Sequence, residues 1–116
     1  GPSERAGVLW RGIRGVHALD EYLRTGGTEL APMSTTSDLR IAVKYARGAS
    51  HALLFRLRVD NFMCQGADLT YCSAFPQERE YLYPPGTYLS PTGFHLTIVH
   101  DDRTYDVVEV SPEFPS

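Results

Sequence analysis

The chain reads as a single α+β domain, and three observations carry that reading. Apolar residues recur at helical spacing twice in the first half, as Val16, Leu19 and Leu23, then as Leu39, Ala42, Val43 and Ala46. The second half consists of short alternating or apolar stretches punctuated by Pro, Gly and Asp, the pattern of strands joined by turns. Strands that follow one another late in a chain favour antiparallel pairing, which makes the class α+β.

The elements follow in order. Residues 8–12 form a short buried strand ending in Arg11 and Gly12. A helix over 16–24 comes next, stopped by Gly26-Gly27. Residues 31–36 are extended and end in hydroxyls, and Ser37 or Thr36 caps a second helix that Gly48 terminates. Residues 52–59 alternate cleanly, with Leu53, Phe55, Leu57 and Val59 on one face and Arg56 and Arg58 on the other. Residues 61–74 show no usable period and read as a loop. Strands are expected at 79–83, 87–90 and 94–100, and Asp101-Asp102-Arg103 turns the chain into a hairpin strand at 104–110.

Composition narrows the function. The 116 residues suit one core, expected to span 4–112, with a frayed tail at 113–116. Gly1-Pro2-Ser3 looks like the remnant of protease cleavage, so natural targeting signals could have been removed. A hydrophobic content of 42% and charged content of 22% describe an ordinary soluble protein, and the net charge of −3 argues against a nucleic-acid binder. No run is apolar enough to span a bilayer. Cys64 and Cys72 are too few for a disulfide scaffold; two free thiols, compatible with a reducing compartment, are the default, and the compartment itself stays unassigned. The four histidines show no metal-ligand spacing, so no metal is expected.

Chemistry concentrates at three places. Arg11-Gly12 ends a strand with a cation able to grip a phosphate or carboxylate, beside a residue over which a ligand can approach; an ion pair is the structural reading. Ser34-Thr35-Thr36 lines hydroxyls up before a helix, where they can cap it or help receive an anion. Glu78 and Glu80 fall on one side of a strand at its mouth, either a solvated acidic pair or carboxylates kept for a ligand.

The order of these motifs resembles the R-S-E class of mono-ADP-ribosyltransferases, the cholera-toxin-like and arginine-specific enzymes. The stretch from Glu78 through Arg79, Glu80, Tyr81, Leu82, Tyr83, Pro84, Pro85 and Gly86 to Thr87 resembles that family's segment around its catalytic glutamate. Pro32, Met33, Ser34, Thr35, Thr36 and Ser37, with the helix behind them, resemble its Ser-Thr-Ser motif, with Thr36 in the place of the last serine. The resemblance implies two packed, mainly antiparallel sheets, with NAD as substrate in the cleft between them. It implies that Glu80 stabilises the ribosyl cation as nicotinamide leaves, that Glu78 handles the acceptor, and that Ser34 holds the catalytic glutamate. It assigns Arg11, Gly12, Ser34, Thr35, Thr36 and Tyr45 to NAD, and Tyr71 and Phe75, with Glu78, to a protein acceptor bearing an exposed arginine. NAD glycohydrolase, with water as acceptor, uses the same residues; a non-catalytic module binding NAD, ADP-ribose or a protein is the third reading. Many relatives carry a helical segment ahead of the arginine strand, which leaves room here for an additional domain or partner covering the cleft.

Overall fold

The computed structural model describes residues 7–13, 25–46, 51–59 and 80–114. The described chain is mostly strand. One helix, α1 (Leu39–Ala46), stands where a pair of short helices was expected, and the first of that pair, over 16–24, lies outside the described residues. The strands are β1 (Gly7–Ile13), β2 (Gly27–Glu29), β3 (Met33–Thr36), β4 (His51–Val59), β5 (Glu80–Tyr83), β6 (Thr87–His100) and β7 (Arg103–Glu113).

The expected pair of sheets is one sheet, in the order β2-β6-β7-β4-β1-β3-β5. Its pairs are antiparallel except β4 with β7, which run parallel. The sheet cannot be flat. β5 and β6 stand five places apart in it, which at strand spacing is about 24 Å. Tyr83 and Thr87, which end β5 and begin β6, are joined by only four Cα–Cα steps, at most about 14 Å of chain. The sheet therefore curls into a half-barrel that brings its ends together.

The connection that imposes the curl is a tight turn. Thr87 donates its backbone N–H to the Pro84 carbonyl at 3.3 Å, and its hydroxyl donates to the same oxygen at 2.7 Å. Proline at the second position and Gly86 at φ 89° in the third give a type II turn, whose third residue must adopt a conformation that glycine takes freely. Gly86 then donates its N–H to the Glu29 carbonyl at 2.7 Å, tying the turn to β2.

The concave face holds the main core. Leu9, Met33, Leu53, Phe55, Leu57, Tyr83, Leu89, Val108 and Val110 pack in one cluster drawn from both ends of the sheet. The Phe114 ring, just past the end of β7, stacks on Tyr83 with centroids 5.6 Å apart. On the other face α1 buries Ala42 and Ala46 with Ala52, Leu54, Tyr105 and Val107. This corrects the half-buried reading of β4, since Ala52 and Leu54 are as buried as Leu53 and Phe55. Among the β4 side chains described, 52–59, only Arg56 and Arg58 are not buried.

Three local expectations change. Asp38, not Ser37 or Thr36, caps α1: its Oδ1 accepts the Arg40 N–H at 3.0 Å, while the Thr36 hydroxyl accepts the Asp38 N–H at 3.0 Å. The strands expected at 87–90 and 94–100 are one strand, with a register shift between Pro91 and His95 where Gly93 takes φ 96°. Asp101 and Asp102 both have positive φ, 51° and 62°, which gives the hairpin a type I′ geometry that matches strand twist.

Gly12 fixes how closely α1 approaches β1. A Cβ built there would lie 2.2 Å from the Ala42 carbonyl oxygen and 3.1 Å from the Ala46 Cβ. Gly12→Ala is expected to push the helix off the sheet and cost about 1–3 kcal/mol or more, read as a lower Tm and denaturation midpoint. Asp38→Ala removes the cap and should cost about 0.5–2 kcal/mol in the same measurement, without displacing the helix.

Candidate active site

A cavity of about 340 Å³ lies between α1 and the β1-β3-β5 end of the sheet. Its lining includes Arg11, Gly12, Ser34, Thr35, Thr36, Tyr45 and Glu80, together with Trp10, Ile41 and Ala42. All seven of the first group were named from the sequence. Glu78, Tyr71, Phe75, Cys64 and Cys72 lie outside the described residues.

Strand register explains how these side chains meet. Among the described residues β1 and β3 share one registered pair, Trp10 with Thr36, and Thr36 is in turn opposite Glu80 of β5. Residues opposite one another in a ladder share a face, so Trp10, Thr36 and Glu80 form a row across three strands. Ser34, two residues before Thr36, shares that face and sits diagonally from Glu80, about 7–8 Å between Cα atoms and within side-chain reach. Gly12 lies two residues beyond Trp10 on the same side, under α1. The helix adds Ile41 and Tyr45, which are four residues apart and so project from one flank.

Thr35 has the opposite phase. It is buried, and its hydroxyl donates to the Tyr81 carbonyl at 2.8 Å, which ties β3 to β5. The row of three hydroxyls therefore divides by function: Thr36 bonds into the turn that leads to the helix, Thr35 bonds across the sheet, and Ser34 stays exposed at the cavity wall.

Arg11 reaches the cavity from the other face. It is opposite Phe55 of the concave core, and its guanidinium crosses the gap where β1 and β3 part. There Nη1 donates to the Ser34 carbonyl at 3.1 Å, and Nη2 stands 4.0 Å from Glu29 Oε2. Nε is buried and, among the described residues, has no hydrogen-bond partner. The side chain is 23% exposed, and at 4.0 Å the ion pair with Glu29 is long. Glu29 arrives from the far end of the sheet and is present only because the sheet curls.

Among the described residues no group of three or more His, Cys, Asp and Glu side chains is placed to hold a metal ion. No described helix is long and apolar enough to cross a membrane.

No family model matches the sequence. The chain is 35% identical over 94 residues to ecto-ADP-ribosyltransferase 5 of Mus musculus and 35% identical over 99 residues to that of Rattus norvegicus. Each match covers 81% of this chain, against 27% of the mouse protein and 28% of the rat protein. In fold it is similar to Vis toxin, an ADP-ribosyltransferase from Vibrio splendidus, with TM-score 0.58 and 21% identity over 92% of this chain and 49% of that one. It is equally similar to the ADP-ribosyltransferase HopU1 of Pseudomonas syringae pv. Tomato DC3000, with TM-score 0.58 and 22% identity over 93% of this chain and 46% of that one.

These matches support an R-S-E type mono-ADP-ribosyltransferase family for the chain. It spans about a quarter of the length of the curated relatives it matches and about half that of the solved ones. The ADP-ribosyltransferase-like fold is here a curled half-barrel, and the cavity lies under α1 at one end of it rather than between two separate sheets. The mouse and rat relatives are called ecto-enzymes, so they give no support to the reducing compartment expected from the two thiols. Sequence reasoning missed Trp10, Ile41 and Glu29. Ile41 was recoverable, since a helix that carries Tyr45 to a site brings the residue four positions earlier with it. Trp10 is the in-phase neighbour of Gly12. Glu29 left no signal, being 18 residues from Arg11 in sequence and brought near it by the curl.

The different states of the hydroxyls give a direct test. Thr35→Val should cost about 1–3 kcal/mol in thermal or urea unfolding, because it removes the hydrogen bond that a buried hydroxyl makes across the two strands. Ser34→Ala, at an exposed site, should leave unfolding within about 0.5 kcal/mol of the parent. Equal destabilisation by both would contradict the assignment.

Proposed function

We propose that this domain transfers ADP-ribose from NAD to a guanidinium on a protein, releasing nicotinamide. The observation that carries the reading is the shared cavity: an arginine whose buried Nε has no partner among the described residues, an exposed serine and a glutamate, drawn from three different strands, line one space of about 340 Å³. The relatives support it, as does a solved structure of Vis in complex with agmatine, a small guanidine compound.

In this reading Arg11 binds the diphosphate of NAD through charge-assisted hydrogen bonds. The backbone at Gly12 receives the carboxamide, and Tyr45 packs on the nicotinamide ring. Thr35 and Thr36 shape the wall. The bond between ribose C1′ and the nicotinamide nitrogen breaks with its electron pair leaving on the nitrogen, so nicotinamide departs neutral and positive charge develops on the ribose. The Glu80 carboxylate faces that charge from a fixed strand position and lowers the barrier electrostatically; Ser34, diagonal to it, orients it. A guanidinium nitrogen then attacks C1′, and the proton it loses passes to Glu78, two residues before Glu80 in the sequence. Tyr71 and Phe75 offer surface to the acceptor. Water in place of the guanidinium gives NAD glycohydrolysis from the same intermediate.

The test uses labelled NAD with agmatine or polyarginine, following nicotinamide release and acceptor labelling separately. Glu80→Gln should reduce nicotinamide release by about 10²–10³-fold or more, the scale of losing one preorganised electrostatic contact. Glu78→Gln should abolish acceptor labelling while slow NAD hydrolysis continues. Labelling that survives Glu78→Gln counts against Glu78 as the residue that takes the acceptor's proton, and absence of labelling in the parent protein counts against a guanidinium acceptor. Absence of NAD turnover in the parent protein overturns the enzymatic reading.

A further inference from the structure

One buried charge has no place in the chemistry above. Glu109 of β7 is 7% exposed, and three groups converge on its carboxylate. Arg56 Nη1 donates to Oε2, the Thr92 hydroxyl donates to Oε1 at 2.8 Å, and Arg58 Nη1 stands 3.8 Å from Oε1. A buried ion pair commonly adds little stability over apolar side chains of the same volume, so stability alone does not account for this one.

The cluster leads to Trp10. Strand register sets Trp10 opposite Arg56 and Arg56 opposite Glu109. In the other direction the row runs from Trp10 through Thr36 to Glu80. Residues opposite one another share a face, so one row crosses the sheet from Glu109 to Glu80 with the indole at its centre. The Arg56 guanidinium carbon lies 5.9 Å from the centroid of the indole, within the reach of about 6 Å over which an aromatic face attracts a cation. A planar guanidinium can hold a carboxylate by its edge while its charge lies over a ring, which suits arginine to this place.

Trp10 also stands between two spaces. It lines the cavity of about 340 Å³ with Arg11, Ser34 and Glu80, and it lines a groove of about 380 Å³ with Arg56 and Glu109. Arg56 and Glu109 line the second space and not the first. A ring with space on two sides is held by particular contacts rather than by close packing, and Arg56 supplies one on the groove side.

We propose that Arg56 and Glu109 are positioning residues, which hold the Trp10 indole as a wall of the cavity and thereby set how tightly the cavity takes NAD. The placement of the ring stands on these contacts alone; its effect on affinity rests on the NAD reading given above.

Trp10 is the single tryptophan of the chain, so indole emission reports on this ring. The test compares the parent with Arg56→Met, Glu109→Gln and a control, Arg58→Met, which removes a cation from the same carboxylate two residues further along β4. In ligand-free protein, Arg56→Met and Glu109→Gln should open Trp10 to acrylamide, read as a steeper quenching slope, while Arg58→Met keeps the parent's slope. The KM for NAD, followed by nicotinamide release, should rise about 2–10-fold in the first two, the range that one cation–π contact can supply, with kcat within about twofold. Far-UV circular dichroism establishes that each variant is folded. Should Glu109→Gln unfold, Arg56→Met decides alone, because it leaves the carboxylate with Arg58 and Thr92. A slope in Arg56→Met equal to the parent's, or raised equally by Arg58→Met, overturns the positioning role. A steeper slope with an unchanged KM overturns its bearing on the cavity. A parent protein that neither binds nor turns over NAD sinks the NAD reading instead, and the quenching comparison still decides whether Arg56 holds the ring.

Discussion

The turn at Pro84, Pro85, Gly86 and Thr87 is the constraint on which the rest of the structure depends. It joins strands that are neighbours in sequence and nearly at opposite ends of the sheet. Its short reach leaves a curled sheet as the only way to keep both strands paired. Three contacts follow from that closure: the Gly86 amide on the Glu29 carbonyl, the Phe114 ring on Tyr83, and Glu29 beside Arg11. The concave core, with members from β1, β3, β4, β5, β6 and β7, is the apolar burial that holds the curl in place.

The cavity sits where β1 and β3 share a single registered pair. A ladder of full length between β1 and β3 would satisfy the backbone groups on both sides and leave no opening. With the single registered pair Trp10 and Thr36, the strands part, and the guanidinium of Arg11 spans the gap to the Ser34 carbonyl. One arginine thus substitutes for part of the missing ladder, and its Nε has no partner among the described residues.

Much of this was legible in the residue order. The strand ending at Arg11 and Gly12, the extended hydroxyl run, the alternating strand 52–59 and the Asp101–Asp102 hairpin each follow from local rules of period and turn chemistry. The stripe of α1 is the predicted one, with Ala42 and Ala46 buried. What misled was local as well. Pro91, Thr92 and Gly93 look like a break, yet a register shift absorbs them within β6. Thr36 and Ser37 look like caps, yet the carboxylate of Asp38 takes that place because its oxygen accepts the amide two residues on. Gly12 suggests room for a ligand, and the structure adds a second demand, since the helix backbone occupies the space a Cβ would need.

By itself the sequence determined the class of most elements, the turn types that Gly86 and the paired aspartates allow, and the set of chemically able residues from Arg11 to Glu80. Such properties depend on neighbours within a few positions, where dihedral preference and side-chain period act directly. Only the tertiary structure decided that the strands form one curled sheet, that β4 lies parallel to β7, and that Ser34 faces the cavity while Thr35 bonds to Tyr81. It alone brought Glu29 to Arg11. These outcomes turn on register and on which strands become neighbours, and a change of one residue in register reverses every face. Local sequence cannot encode that choice without the burial energy of the whole core behind it.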